Sequence, residues 1–145
     1  LPCARQTHTH AEEVSMQADI DGMLTLKTWA IVGLSNNSDR PAYGVAALLQ
    51  AKGHRIVPVH PSAPMVHGEQ GYATLKEIPF AVDVVDLFVN STLVAELVAE
   101  SIHIGAKGVW LQLGVIDESA LQAAKSVGLL TAMDRCPAIE YAKKG

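Results

Sequence analysis

The segment Trp29–Leu49 reads WAIVGLSNNSDRPAYGVAALL and changes character at its middle. Its first residues are apolar without alternation, which is typical of a parallel strand covered on both faces by helices. Its last residues have the apolar spacing of a helix, and Pro41 suits the first position of that helix. Between them lie Gly33, two serines, two asparagines and Arg40. The segment therefore predicts a strand, a polar turn and a helix.

The same alternation continues to the end of the chain. We predict strands at 29–34, 55–59, 83–89, 107–113 and 129–133, and helices at 41–53, 91–104, 117–127 and after Pro137. The connection 60–80 is polar and rich in Pro and Gly, and it predicts a loop with one short helix near Thr74–Ile78. This pattern is typical of an α/β fold, a Rossmann-like doubly wound parallel sheet of about five strands in three layers. We expect the strand order 3-2-1-4-5.

Length and composition limit the classes of function. With 145 residues and 49% hydrophobic content, the chain fits one domain. The net charge is −4 and the basic residues are scattered, which argues against nucleic acid as a partner. No apolar run approaches the roughly 20 residues that span a bilayer, so we expect no membrane partner and a cytoplasmic location. We expect residues 1–23 to be a polar leader, partly helical or disordered, and residues 24–145 to form the domain.

Candidate metal-binding and catalytic residues are few. Cys3 and Cys136 lie at opposite ends of the chain, and only His8 and His10 form a close histidine pair, so we expect no metal site. Cys136 is the one thiol near the predicted crevice, with no assured partner base. We therefore expect no catalytic residues and a binding module rather than an enzyme.

The paired acids Asp83 and Asp86 fall within one predicted strand rather than across a cleft. A general acid and base must face a substrate between them. We therefore expect these two carboxylates to cap or hydrogen-bond neighbouring loops instead.

The polar turn after the first strand allows two interpretations. The N-terminus of the following helix favours an anion, the side chains of residues 35–38 can donate hydrogen bonds, and Arg40 can meet a phosphate with two of them. An ordinary helix start explains the same residues, with Gly33 in a tight turn and Ser38 or Asp39 as the cap. The second strand ends PVHP at 58–61. It lacks the carboxylate that nicotinamide enzymes use to bind ribose, which disfavours NAD.

Five segments resemble one family when taken in order. They read IVGLSNNSDRPAYGV at 31–45, IVPVHP at 56–61, VDVVDLFV at 82–89, GAKGVWLQLGV at 105–115 and MDRCPAIEY at 133–141. Together they resemble the small stand-alone CoA-binding proteins of the succinyl-CoA synthetase α-subunit type. The combination of WLQLGV with DRCP about twenty residues later is the specific part. The resemblance covers nearly all of 24–145 and implies a Rossmann-like domain that binds coenzyme A or an acyl-CoA.

The resemblance also implies a set of cofactor-binding residues at the ends of the strands. They are, in chain order, Gly33, Leu34, Ser35, Arg40, Val59, His60, Pro61, Val89, Asn90, Gln112 and Gly114. The first four would lie at the phosphates, where backbone N–H groups supply most of the contact. The next three would border the adenine and ribose, and the last four would line the path of the pantetheine arm.

Two positions depart from the pattern of the family. Many relatives have Lys where this chain has Ser62, and often Asn where it has His60. A lysine at the first position would pair with a CoA phosphate. Two other functions therefore stay open, a nucleotide-dependent oxidoreductase or ligase component acting with a separate subunit, and an interaction module that has lost its ligand. Apolar residues of the last helix are compatible with a homodimer, which no motif specifies.

Overall fold

The structure is a computed structural model that describes residues 10–144. Cys3, His8 and the start of the expected leader lie outside the described residues. The helices are α1 His10–Leu24, α2 Pro41–Ala51, α3 Val94–His103, α4 Glu118–Ser126 and α5 Pro137–Lys143. The strands are β1 Thr28–Val32, β2 Arg55–Val59, β3 Val84–Leu87, β4 Gly108–Leu111 and β5 Leu130–Ala132. Within the described part of the chain, no helix has the length and apolar character needed to cross a bilayer.

The five strands form one parallel sheet between two layers of helices. Every residue of β1, β3 and β4 is buried, because helices cover both faces. One core contains residues of α3 and α4 against the sheet, and the other contains residues of α1 and α2 with α5 packed against it. The predicted Rossmann-like doubly wound fold in three layers is confirmed.

The predicted strand order 3-2-1-4-5 is wrong, because the observed order is β2-β1-β3-β4-β5. After β2 the chain crosses over β1 and adds β3 on the far side of β1. Strand β1 therefore pairs with β2 on one side and with β3 on the other. Pro58 of β2 gives a physical reason. Proline has no N–H for a strand ladder and is tolerated mainly in edge strands. The predicted order would have placed β2 in the interior, whereas the observed order puts it at the edge.

The connection between β2 and β3 is fastened to the body of the domain. A short 3₁₀ helix, Leu75–Glu77, confirms the predicted one. Earlier in the connection, Val66 is fully buried, and the Gln50 amide of α2 donates to the carbonyl of His67 at 3.0 Å. The His67 ring lies 2.9 Å from the carbonyl of Tyr43 through its Nε2 atom. The connection therefore has a defined position beside α2.

Helix α1 packs against the edge strand β5. Ile20 and Met23 are buried in the core, and the Asp19 carboxylate accepts a hydrogen bond from the N–H of Thr131 at 3.1 Å. The part of the expected leader that the structure describes is thus helical and in contact with the sheet. The division of the chain at residue 24 stays a prediction.

A buried polar network lies at the amino ends of the strands. The two ring nitrogens of His54 lie 2.7 Å from the Leu26 carbonyl and 2.6 Å from the Tyr141 hydroxyl. The same hydroxyl lies 3.2 Å from the Leu24 carbonyl. Burial lowers the pKa of His54, because charging the ring would require desolvating a cation. The network joins α5 to the α1–β1 turn, at the opposite end of the sheet from the predicted site.

Candidate functional site

Gly33 lies where β1 passes into the loop before α2. Its backbone is in the left-handed region, with φ +97°, and its N–H donates to the carbonyl of Val59 at 2.8 Å. A Cβ atom here would lie 2.3 Å from the carbonyl oxygen of Phe88, the residue after β3. Any side chain would be strained and would also overlap the backbone. Glycine is required because three strand ends meet at this point.

The loop between Gly33 and α2 holds itself in place by short-range hydrogen bonds. The Ser35 hydroxyl accepts from the N–H of Asn37 at 3.3 Å, and the Asn37 side chain accepts from the N–H of Asp39 at 3.0 Å. The Asn36 amide donates to the carbonyl of Met65 at 2.8 Å. Asn36 therefore ties this loop to the β2–β3 connection.

The N-terminus of α2 opens into a polar cleft of about 390 Å³. Its lining residues are Gly33, Ser35, Asn37, Arg40, Ala42, His60 and Phe88. Arg40 is the N-cap, with extended backbone, and no side chain caps this helix end. The first N–H groups of a helix and its positive dipole end attract anions, and the exposed Arg40 guanidinium adds a full positive charge. The polar cleft therefore has the chemistry of an anion site.

His60 stands between the polar cleft and a second cleft. Its Nδ1 atom accepts from the N–H of Ser62 at 3.2 Å and lies 2.9 Å from the Ser62 hydroxyl. Because a backbone N–H is always a donor, these contacts assign the lone pair to Nδ1 and the proton of the neutral ring to Nε2. His60 therefore keeps Nε2–H as its remaining donor.

The second cleft, of about 270 Å³, adjoins the first and is mainly apolar. We call it the apolar cleft. Its lining residues are Val32, Gly33, Val59, His60, Pro61, Ala73, Thr74, Leu75, Val89, Leu93, Glu96, Leu97 and Glu100. They come from the ends of three strands, from the start of the short 3₁₀ helix and the two residues before it, and from α3 and the residue before it. The two clefts share Gly33 and His60, so a single extended ligand can occupy both.

The structure brings most of the predicted site residues to these two clefts. Ser35 and Arg40 line the polar cleft, and Val59, Pro61 and Val89 line the apolar cleft. The side chain of Leu34 is fully buried, and Leu34 lines neither cleft. The assignment of these residues to a cofactor stays a prediction.

Besides Leu34, three further predicted residues lie outside the two clefts. Asn90 accepts a hydrogen bond from the N–H of Thr92 and caps the 3₁₀ turn before α3. Gln112 is buried at the end of β4, and the N–H of Gly114 donates to the Asp134 carboxylate at 2.8 Å. These residues continue the line of strand ends away from the clefts.

The paired acids Asp83, which precedes β3, and Asp86, which lies within it, behave differently from each other. Asp83 accepts from the N–H of Thr28 at 3.0 Å and lies 3.5 Å from Lys107 Nζ, as predicted for a structural carboxylate. Asp86 is fully buried, and neither of its oxygens has a hydrogen-bond partner. The prediction that it bonds a neighbouring loop is wrong. Burial without a partner raises the pKa of Asp86 well above its usual value, because the charged form loses its hydration.

Cys136 is a core residue and not a surface thiol. Its side chain is 8% exposed and belongs to the buried cluster that also contains Trp110 and Ala132. The indole N–H of Trp110 donates to the carbonyl of Arg135 at 2.9 Å and holds the turn that precedes Cys136. The thiol thus packs as a small apolar group.

A third cleft, of about 350 Å³, lies at the far edge of the sheet between α1 and α4. Glu12, Met16, Gln122 and Arg135 are among its lining residues. None of the predicted cofactor-binding residues lines it. The chemistry of the clefts beside Gly33, rather than size, therefore identifies the candidate site.

Sequence reasoning missed the residues that α3 and the β2–β3 connection give to the apolar cleft. Residues 73–75 come from a segment without regular periodicity, so nothing placed them beside β2. Helix α3 carried no signal either, because an exposed Glu96 and a half-buried Glu100 beside Leu97 are what the polar edge of an amphipathic helix ordinarily shows.

The parallel sheet, the obligatory glycine turn and the adjoining clefts define a Rossmann-like α/β domain with its crevice at the topological switch point. Comparison with known proteins gives the family. The chain belongs to the CoA-binding domain family, whose pattern matches residues 27–142. The resemblance noted from the strand ends is thereby confirmed.

Individual relatives agree with this assignment. The chain is 33% identical over 116 residues to YneT, an uncharacterized protein of Bacillus subtilis, covering 80% of this chain and 86% of that protein. It is 28% identical over 92 residues to the ADP-forming acetate–CoA ligase II of Archaeoglobus fulgidus, covering 62% of this chain and 14% of the ligase. The structure of a hypothetical protein from Pyrococcus horikoshii matches with a TM-score of 0.82 and 35% identity, covering 87% of this chain and 89% of that one. The chain is thus related to a domain of ADP-forming ligases.

Proposed function

We propose that the chain binds coenzyme A or an acyl-CoA and does not catalyse a reaction by itself. The observation that carries the proposal is the junction of an anion-attracting cleft and an apolar cleft through Gly33 and His60. CoA has a matching division, with charged phosphates at its centre and a flat aromatic base at one end. The family to which the chain belongs supports the same ligand.

The phosphates would lie in the polar cleft. The backbone N–H of Ala42 in the first turn of α2 and the Ser35 hydroxyl would donate to phosphate oxygens, and Arg40 would neutralise part of the charge. The Nε2–H of His60 would donate at the boundary of the clefts, to a phosphate or to the ribose. Val59 and Pro61 would then contact the nucleoside.

The pantetheine arm would leave along the carboxyl ends of the strands. Val89 follows β3, and Gln112 and Gly114 follow β4, which is two strands from β1. Parallel strands are about 4.8 Å apart, so the end of β4 lies about 10 Å from the end of β1. A pantetheine arm of about twelve bonds spans that distance when extended. This path accounts for the predicted residues that lie outside the two clefts.

Calorimetric titration with CoA, dephospho-CoA and NAD tests the proposal. We expect saturable binding of CoA, weaker binding of dephospho-CoA, and none of NAD. Binding of NAD in preference to CoA would replace the proposal with the oxidoreductase alternative. No heat with any of the three ligands would favour an interaction module that has lost its ligand.

The absence of turnover is a separate part of the proposal. Its support is the position of Cys136, whose thiol lies in the core instead of facing the clefts. The chain is similar to a segment that makes up 14% of the length of an ADP-forming ligase. This similarity favours one other candidate function, a ligase component that needs a second subunit. Incubation with acetyl-CoA and a thiol-specific dye tests whether the chain alone hydrolyses the thioester, because hydrolysis releases CoA with a free thiol. We expect CoA to be released at the same rate with and without the protein.

A homodimer stays a prediction. Ile139 of α5 is 46% exposed and supplies apolar surface for such a contact. Light scattering with and without CoA measures the mass directly.

A further inference from the structure

The apolar cleft has two carboxylates on its rim. Glu96 and Glu100 of α3 line the cleft together with apolar side chains such as Leu97 and Val59. Among residues 10–144, neither carboxylate has a hydrogen-bond or ion-pair partner. The rim of the cleft therefore offers four acceptor oxygens and no cation to pair with them.

This arrangement is unfavourable without a ligand. Residues four apart on a helix are neighbours, and like charges there repel. Glu96 is exposed and Glu100 is half-buried, and both line the apolar cleft. A group that donates hydrogen bonds from within the cleft would relieve this repulsion.

The charges also fix the direction of a bound nucleotide. Phosphates would be repelled by Glu96 and Glu100 and attracted by Arg40 and the N-terminus of α2, which lie on the other side of Gly33 and His60. The end of the ligand in the apolar cleft must then be uncharged, flat enough for a cleft of about 270 Å³, and a donor at its edge. An adenine ring with its exocyclic amino group has these properties.

Resting on the CoA-binding function proposed above, we propose that Glu96 and Glu100 determine base specificity by accepting hydrogen bonds from the amino group of adenine bound in the apolar cleft. Ionised carboxylates accept and never donate. They therefore favour a base with an amino group at this edge over one without it. Hydrogen bonds to charged groups are stronger than neutral ones, which makes the preference large enough to measure.

The test compares CoA with an analogue that carries hydrogen in place of the adenine amino group. We expect the wild-type chain to bind CoA about tenfold or more tightly than the analogue, as for one charge-assisted hydrogen bond. In the variant Glu96→Ala with Glu100→Ala, we expect this ratio to fall close to one, mainly through weaker binding of CoA. Glu118→Ala on α4 is the control, because it removes an exposed helix carboxylate that lies outside both clefts.

Each other result has a distinct meaning. If the double variant binds both ligands more tightly by the same factor, the carboxylates act only through long-range repulsion of the phosphates, and the inference is wrong. If the wild type binds CoA and the analogue equally, the inference fails while the proposed function stands. If the wild type binds neither ligand, the proposed function fails as well. Far-UV circular dichroism confirms that the variants are folded, which alanine in a helix favours.

Discussion

Asp86 supplies the sharpest test of the physical description, because a fully buried carboxyl group without a partner must change the stability of the fold with pH. The group lies on the central strand β3 between Ile31 of β1 and Trp110 of β4. No cation or donor compensates for its burial. Its pKa is raised by desolvation, so the folded chain holds the proton at pH values where the unfolded chain has released it.

The sign and size of the effect follow from linkage. Below the ordinary aspartate pKa of 3.8, both states bind the proton and the group makes no pH-dependent contribution to stability. Above it, the unfolded state gains free energy by ionising while the folded state does not, so stability falls as the pH rises. The slope is about 1.4 kcal/mol per pH unit, and it ends only at the raised pKa of the folded state.

Asp86→Asn keeps the shape and removes the titration. We expect the variant and the wild type to be similarly stable near pH 4, and the advantage of the variant to grow by about 1.4 kcal/mol with each pH unit above that until the folded pKa is reached.

Urea unfolding between about pH 4 and pH 7, followed by the fluorescence of the two buried tryptophans Trp29 and Trp110, measures the difference. His54 titrates in the same range, because its lowered pKa gives stability that is lost as the pH falls. Its contribution cancels in the difference between variant and wild type. Thr131→Val is the control, because it removes another buried unpartnered oxygen that does not titrate. Its difference should be constant with pH. A constant difference for Asp86→Asn would refute the reasoning and show that the carboxylate is ionised in the fold.

Three further predictions concern the site and its support. Gly33→Ala should destabilise the fold by more than about 2 kcal/mol in urea unfolding. Gly53→Ala, with the same φ of +97° but no atom within 4 Å of its Cβ position, should cost less, and equal costs would contradict the overlap with Phe88. Arg40→Ala should weaken CoA more than dephospho-CoA in calorimetry if Arg40 binds the 3′-phosphate, whereas equal weakening would place it at the pyrophosphate. Tyr141→Phe should cost about 1–2 kcal/mol by removing the hydroxyl partner of a buried histidine, and an unchanged urea midpoint would show that this bond contributes nothing.

The positions of the strands and helices were predictable because the chain alternates short apolar runs with helical periods. The order of the strands was not predicted, although Pro58 carried the information. A proline within an apolar run argues against an interior strand, and this disfavours the order that puts β2 between two neighbours. Periodicity measures how a segment is buried, and it says little about which segment lies beside it.

The site was predictable in part for a similar reason. Residues that follow directly on a strand, such as Gly33, His60 and Val89, are placed by the topology of a parallel sheet. Residues of the apolar cleft that come from α3 and from segment 73–75 depend on packing between elements distant in the chain. Asp86 shows the same limit, because its neighbours lie on two other strands and no local pattern shows that it has no partner.

The structure shows a role for Ser62, the position at which many members of the family have lysine. A lysine would bring a cation to a CoA phosphate, whereas Ser62 instead fixes the ring of His60 through its N–H and its hydroxyl. Because the backbone contact makes Nδ1 an acceptor, His60 presents Nε2–H as a directed donor at the junction of the two clefts. Compared with a chain that has lysine at position 62, this chain lacks one flexible positive charge and has instead one oriented hydrogen-bond donor on His60. Under the proposed function, the attraction of phosphate then depends on Arg40 and the N-terminus of α2, and the position of the nucleoside depends on His60.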